Sequence, residues 1–246
     1  MMNNIIVVGA SSGLGRLIAV HYASKGFRVG IAARNEDALK QLKETFPGNI
    51  DYEVIDITDG TAAGKLNSLI DKIGGMDVYI HVSGILVENP LLNQEAELKT
   101  VETNVTGFTR MIDAAFEYFS RTCKKGQIAA ITSVAGTKGI GELPAYSSSK
   151  RFQWTYIQAL EQLADKQKLD ISFTDIRPGW TRTPLIDPSR KYMMSMNPEK
   201  VANLAVKAID CKKRVAYIDY RWAILHFFWN RLPGKLWKKI RFKISG

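Results

Sequence analysis

The residues with the chemistry to move a proton are Tyr146 and Lys150, in the run Tyr146-Ser-Ser-Ser-Lys150. On a helix, four residues make about one turn, so the two side chains share a face. A phenol is a poor acid, with a reference pKa of about 10. An ammonium beside it favours the phenolate and lowers that value. A tyrosine tuned in this way gives a proton to a carbonyl oxygen, or takes one from an alcohol, near neutral pH. Thirteen residues upstream, Ser133 follows the apolar run Ile128-Ala-Ala-Ile-Thr132. A strand ending there leaves the hydroxyl on the carboxyl edge of its sheet, where open α/β sheets place their ligands. Tyr-x-x-x-Lys alone occurs in many helices by chance, so its meaning depends on what precedes it.

The elements that must position these groups begin at Ile5-Ile-Val-Val8, an apolar run that reads as a strand buried on both faces. It leads into Gly9-Ala-Ser-Ser-Gly13-Leu14-Gly15, and helical spacing then continues to the stop at Lys25-Gly26. Strand, glycine turn and helix together are the setting of a dinucleotide fingerprint. Gly9 permits the turn, Gly13 lets the backbone approach a pyrophosphate, and Gly15 lets the helix pack on the strand. Ser11 and Ser12 add hydroxyls for the phosphates or cap the helix, whose N-terminus favours anions.

Arg28–Ala33 is the second expected strand. An acid for a ribose 2′-hydroxyl would follow it, but this chain has Ala33 and then Arg34. Arg34 can pair with a 2′-phosphate in bidentate fashion, which favours NADP(H), with NAD(H) as the second choice. Asn35 is the expected cap of the next helix. Further strands are expected at 51–55, 77–81, 128–132, 170–176 and 215–218. Asp56 falls at a strand end, to meet an adenine amino group or to cap a helix over 58–73. Gly84 allows close backbone approach. Asn104 lies inside a long helical stretch over 95–121, where asparagine is mildly unfavourable. Helices are also expected over 146–168 and 198–211. The stretch from Trp180 to about 198 has prolines, methionines and no period, and reads as a lid over an apolar substrate. Strands alternating with helices, without repeat or linker, give one doubly wound parallel α/β sheet of about seven strands.

The motifs Gly9-x-x-x-Gly13-x-Gly15, Asn104, Ser133, Tyr146-x-x-x-Lys150 and Pro178-Gly179 fall in an order that resembles the short-chain dehydrogenase/reductase family in its classical form, over residues 3 to about 218. The resemblance implies a Rossmann fold and a homodimer or homotetramer, with a dimer built on the helices at 95–121 and 146–168. It implies Tyr146 as general acid/base, Ser133 holding the substrate oxygen, and Lys150 binding the nicotinamide ribose and lowering the tyrosine pKa. Asn104 would position a water in the proton relay. Asp56 and Ile57 would meet the adenine, Ser83 and Gly84 the adenosine ribose, and Thr181 and Thr183 the carboxamide. The chain departs from the family pattern with Val8 before the first glycine and with His81-Val82-Ser83-Gly84 after the fourth strand.

The 246-residue chain carries a net charge of +10. From Lys212 onward, ten basic side chains face one acid, Asp219, leaving +1 on everything before. Leu232, Leu236, Trp237, Ile240 and Ile244 fall on one side of a helix and Lys235, Lys238 and Arg241 on the other. Residues 1–220 are therefore expected as the catalytic domain and 221–246 as a basic amphipathic extension. That extension lies on an anionic membrane, covers the body or mediates assembly. Nucleic acid is not expected. Cys123 and Cys211 fit a reducing compartment as half-buried helix residues, and the three histidines lack metal-ligand spacing. Neither a leader nor a membrane span is expected; the expected location is cytoplasmic, with peripheral attachment to the inner membrane face as the alternative. Two functions remain open at this stage. One is an NADP(H)-dependent oxidoreductase for a carbonyl or secondary alcohol in an apolar or acyl-chain substrate. The other is a catalytically quiet nucleotide-binding protein that docks on membranes or partners.

Overall fold

The apolar runs at the centre of the sheet pair side by side and are buried along nearly their whole length. The computed structural model describes residues 4–122 and 125–240. Strands β1 (Asn4–Val8), β2 (Arg28–Ala33), β3 (Ile50–Val54), β4 (Val78–His81), β5 (Gly126–Ile131), β6 (Ile171–Pro178) and β7 (Val215–Ile218) form one sheet in the order β3-β2-β1-β4-β5-β6-β7. All neighbours are parallel. The order reverses between β1 and β4, and ligands of such sheets bind outside the strand ends at that point.

Helices α1 (Gly13–Ser24), α2 (Glu36–Thr45), α3 (Ala62–Ile73), α4 (Gln94–Val101), α5 (Phe108–Thr122), α6 (Pro144–Lys166) and α7 (Pro198–Asp210) supply the outer layers. Ile5 and Val7 pack with Ile18, Leu39 and Val201 on one face, while Ile6 and Val8 pack with Leu66, Ile112 and Ile157 on the other. Both faces are covered, which is why β1 reads as a continuous apolar run. Asn35 caps α2 as expected, its Oδ1 accepting from the Ala38 N–H at 3.1 Å.

Three expectations need correction. Helix α3 begins at Ala62 rather than at residue 58, because Asp56 accepts from Thr58 and Asp59 from Thr61, holding the chain in two turns first. Asp56 is therefore not a helix cap. The long helix over 95–121 is α4 and α5 joined by a π-helix, Glu102–Gly107, with Asn104 buried inside it. The stretch beyond 220 is not one amphipathic helix. It forms α8 (Tyr220–Arg231) and the short α9 (Gly234–Trp237), because Leu232 is extended at φ −63, ψ 126 before Pro233. Trp222 is 1% exposed within the core, and the Trp237 indole donates to the Gly139 carbonyl at 2.8 Å. Arg241, Lys243, Ile244 and Cys123 lie outside the described residues. Cys211 is exposed at the end of α7. Met196 is buried in the core and bridges Thr181, so the methionine-rich stretch partly packs back on the body. Among the described residues, no helix is long and apolar enough to cross a membrane, and no His, Cys, Asp or Glu group could hold a metal.

Candidate active site

The turn after β1 is shaped by close approaches. Gly9 has φ +96, and a Cβ there would lie 2.6 Å from the Ser83 nitrogen on the loop after β4. Gly15 lets α1 sit on that turn, since its Cβ would meet the Gly9 carbonyl oxygen at 2.1 Å. Ser12 stands at the N-cap of α1 but makes no side-chain cap bond. The first N–H groups of α1 are thus left uncapped by it, the condition in which a helix N-terminus accepts an anion.

A cavity of about 500 Å³ opens at the carboxyl edge of the sheet. Gly9, Ser11, Ser12, Gly13 and Leu14 line one end, with Arg34, Asp56 and Ile57 beside them. Ser83 and Gly84 lie along it, then Ser133, Tyr146 and Lys150. Pro178, Gly179, Thr181 and Thr183 also line it, Thr183 within 3.3 Å of where a Cβ on Gly13 would stand. Gly15 and Asn104 sit behind the lining rather than in it. A Cβ on Gly84 would come 3.2 Å from Asn104 Oδ1 and 3.6 Å from Lys150 Nζ, so the bare backbone keeps that stretch open. The shape and donors fit a dinucleotide: uncapped N–H groups and hydroxyls at one end, Arg34 near it, and ionisable groups at the other. The main-chain N–H of Thr58 chiefly holds the Asp56 carboxyl below its usual range, with Arg34 contributing.

Asn104 pins the loop after β4. Its Oδ1 accepts from the Ile85 N–H at 2.8 Å, and its Nδ2 donates to the Ile85 carbonyl at 2.8 Å. Its main-chain carbonyl accepts from Gln153 Nε2 at 2.9 Å, and Gln153 Oε1 accepts from Lys150 Nζ at 3.1 Å. The buried Gln153 amide thus bridges the Asn104 carbonyl and the Lys150 ammonium. Asn104 lies within the π-helix Glu102–Gly107, a local widening of the helix often found at functional sites.

Burial pushes the Tyr146 phenol up to about 12, partly opposed by a hydrogen bond with Ser133. Burial brings the Lys150 ammonium down to about 8, and the charge of Asp175 opposes the drop. The expected lowering of Tyr146 by Lys150 does not govern here. Nζ is 5.6 Å from the ring centroid and directs its protons to Gln153 and the Ile131 carbonyl. Burial thus favours the neutral phenol of Tyr146.

Sequence reasoning missed three parts of this site. Gln153 was one; its signal is a polar residue one turn beyond Lys150 on the same buried face. The second is the floor behind Ser133. Asp175 and Arg177 pair at 2.6 Å while almost fully buried. Thr132 Oγ1 donates to Asp175 at 2.6 Å, and the Arg177 guanidinium lies 3.7 Å from the Trp154 ring centroid. The third is Trp222, which lines the cavity with Trp229. A Cβ on Gly179 would meet the Trp222 ring at 2.0 Å, so glycine after Pro178 is what admits the indole.

Comparison with known proteins gives a consistent result. A model of the short chain dehydrogenase family matches residues 3–193. The chain is 30% identical to glycine betaine reductase ATRR of Emericella nidulans over 86% of its own length, but spans only 18% of that protein. It is 28% identical to a fatty acyl-CoA reductase of Acinetobacter baylyi, covering 86% of this chain and 74% of that one. A crystal structure of an actinorhodin polyketide ketoreductase variant with NADPH superposes with a TM-score of 0.75 at 22% identity, covering 88% of this chain and 95% of that one. That likeness shows the fold.

Proposed function

Because the chain belongs to the short-chain dehydrogenase family, we propose that it is an NADP(H)-dependent oxidoreductase acting on the carbonyl or secondary alcohol of an apolar, acyl-chain substrate. The observation that carries this reading is the lining of one cavity by Ser133, Tyr146 and Lys150 at one end and by the glycine turn and Arg34 at the other. A nicotinamide bound there supplies or accepts the hydride. In the reductive direction Ser133 Oγ holds the carbonyl oxygen and the Tyr146 hydroxyl delivers its proton to it. The Lys150 ammonium offsets the negative charge left on the phenolate. Arg34, exposed at the end of β2, supports NADP(H) over NAD(H) by its fit to a 2′-phosphate. The fatty acyl-CoA reductase among the relatives, and Leu86, Ile140 and Ile186 along the cavity, support an apolar substrate. Assembly as a homodimer or homotetramer is supported by the exposed Leu98, Val101 and Leu163 on α4 and α6.

The test is NADPH oxidation over ketones and acyl thioesters, from small soluble members to long chains in mixed micelles. Tyr146→Phe serves as the blank. Turnover by wild type, lost at least 100-fold in the variant while NADPH still binds, is the expected result. A wild type that binds NADPH and turns over no member of the panel would overturn the reading.

A further inference from the structure

Helix α8 has two apolar faces, and only one is used by the body. Trp222, Leu225 and Trp229 turn inward at spacings of three and four residues, packed on the core. His226 on the same side bonds Thr137 at 2.8 Å. Tyr220, Ile224, Phe227 and Phe228, at i, i+4, i+7 and i+8, form a second stripe on the opposite side. Their exposures are 73%, 53%, 50% and 61%. A helix that is apolar all round belongs in a buried setting. Here nothing within the described chain covers the outer stripe. Leu236 and Ile240 extend the exposed apolar surface past Pro233.

The charge around this stripe selects what covers it. Arg221, Arg231, Lys235, Lys238 and Lys239 are all exposed in the same segment, and residues 220–240 contain no acid. The Arg231 guanidinium lies 3.5 Å from the Phe227 ring centroid, at the border of the apolar stripe. Arg221 is paired with Asp219 at 2.8 Å, so a second copy of this chain docked face to face would bring four cations, Arg231, Lys235, Lys238 and Lys239, against the same four, none of which makes an ion pair among the described residues. An anionic lipid surface answers both features: headgroup phosphates meet the basic side chains, and the aromatic rings enter the boundary between headgroups and acyl chains.

We propose that the outer face of α8, with the segment to Ile240, docks this protein on an anionic membrane surface. The docked helix is then also a wall of the cavity, since Trp222 and Trp229 line it from the other side of α8. The surface is set by residues outside the catalytic group, so the inference stands or falls apart from the redox reading.

The experiment is sedimentation of the full chain with vesicles of phosphatidylglycerol and phosphatidylcholine, against phosphatidylcholine alone. Wild type is expected to partition onto the anionic vesicles at least tenfold more strongly, and high salt should release it. One variant, Ile224→Ser with Phe227→Ser and Phe228→Ser, changes only exposed side chains. Another, Lys235→Glu with Lys238→Glu and Lys239→Glu, reverses charge. Both should keep the wild-type circular dichroism and thermal midpoint and lose anionic partition, the lysine variant by about 100-fold, since each basic side chain near such a surface is worth roughly fivefold, and the serine variant by at least tenfold through lost apolar insertion. Wild type that stays in the supernatant with anionic vesicles overturns the proposal. Variants that partition as wild type does overturn it too. Light scattering gives the remaining outcome: a wild-type dimer that the Ile224/Phe227/Phe228 variant converts to monomer, without lipid binding, makes the face a subunit contact.

Discussion

Single side chains set the chemistry, and Gln153 changes how the proton path is supported. Its amide oxygen accepts from the Lys150 ammonium at 3.1 Å, and a hydrogen bond to a charged group contributes about 1.5–3 kcal/mol. Lys150 carries its charge below about pH 8 and loses it above. Carbonyl reduction is therefore expected to be flat through neutral pH and to fall above about pH 8. Gln153→Val removes an acceptor from the ammonium, so the descending limb should move down by about one pH unit. A pH profile of kcat/KM for both proteins reads this directly, and an unmoved limb would show that Gln153 only fills space. Arg34 acts at the far end of the cavity. Arg34→Ala should raise the KM for NADPH by about 10- to 100-fold, the scale of a charge-assisted hydrogen bond. The KM for NADH should change less than threefold. Equal effects on both coenzymes would sink the 2′-phosphate assignment.

Elements decide how much of this could be read in advance. The parallel strands were readable because burial on both faces leaves uninterrupted apolar runs such as Ile5–Val8 and Ile128–Ile131. The glycine turn and the Tyr146–Lys150 pair were readable because both are local, set by spacing along one strand end or one helix turn. What escaped was long-range. Gly179 and Trp222 stand 43 positions apart, and no periodicity links a missing side chain on one element to an indole on another. Arg177 falls just past the expected strand 170–176, and only its pairing with Asp175 shows it to be buried floor. The same geometry makes α8 indispensable. Gly179→Ala drives a methyl into the Trp222 ring and should destabilise by about 1–3 kcal/mol, the usual cost of overpacking. Trp222→Ala should cost about 3–5 kcal/mol. Urea unfolding measures both, and a chain truncated after 220 should lose stability at least as severely, because it loses that core residue.

At the scale of the whole molecule, the weak point is acid. Burial, with a contribution from Lys150, lowers His81 to about 3, opposed by a backbone hydrogen bond at Ser83; its ring also meets the Tyr79 hydroxyl at 3.0 Å and the edge of Phe108. Burial likewise lowers His226 to about 4 in the contact between α8 and the body. The sign follows from the folded values lying below the ordinary one. Below about pH 6.5 the unfolded chain takes up protons that the folded chain refuses, so stability is lost as pH falls from 6.5 toward 3. Each histidine contributes a slope of at most about 1.4 kcal/mol per pH unit, less for the partly exposed His226. His81→Gln should therefore show a smaller drop in urea midpoint between pH 7 and pH 4.5 than wild type. An identical drop would place the acid sensitivity elsewhere.

The indole that fills the space over Gly179 also gives the protein an optical property. Trp222 is held almost without solvent in the wall of the cavity, with Trp229 beside it. Tryptophan emission overlaps the absorption band of a reduced nicotinamide, so a coenzyme entering this cavity becomes an energy acceptor at short range. Excitation of the protein should then light the coenzyme while dimming the tryptophans, and Trp222→Phe should reduce that transfer, with Trp180 and Trp229 on the same lining keeping the remainder. The wall thus carries its own occupancy signal, readable without any substrate being turned over.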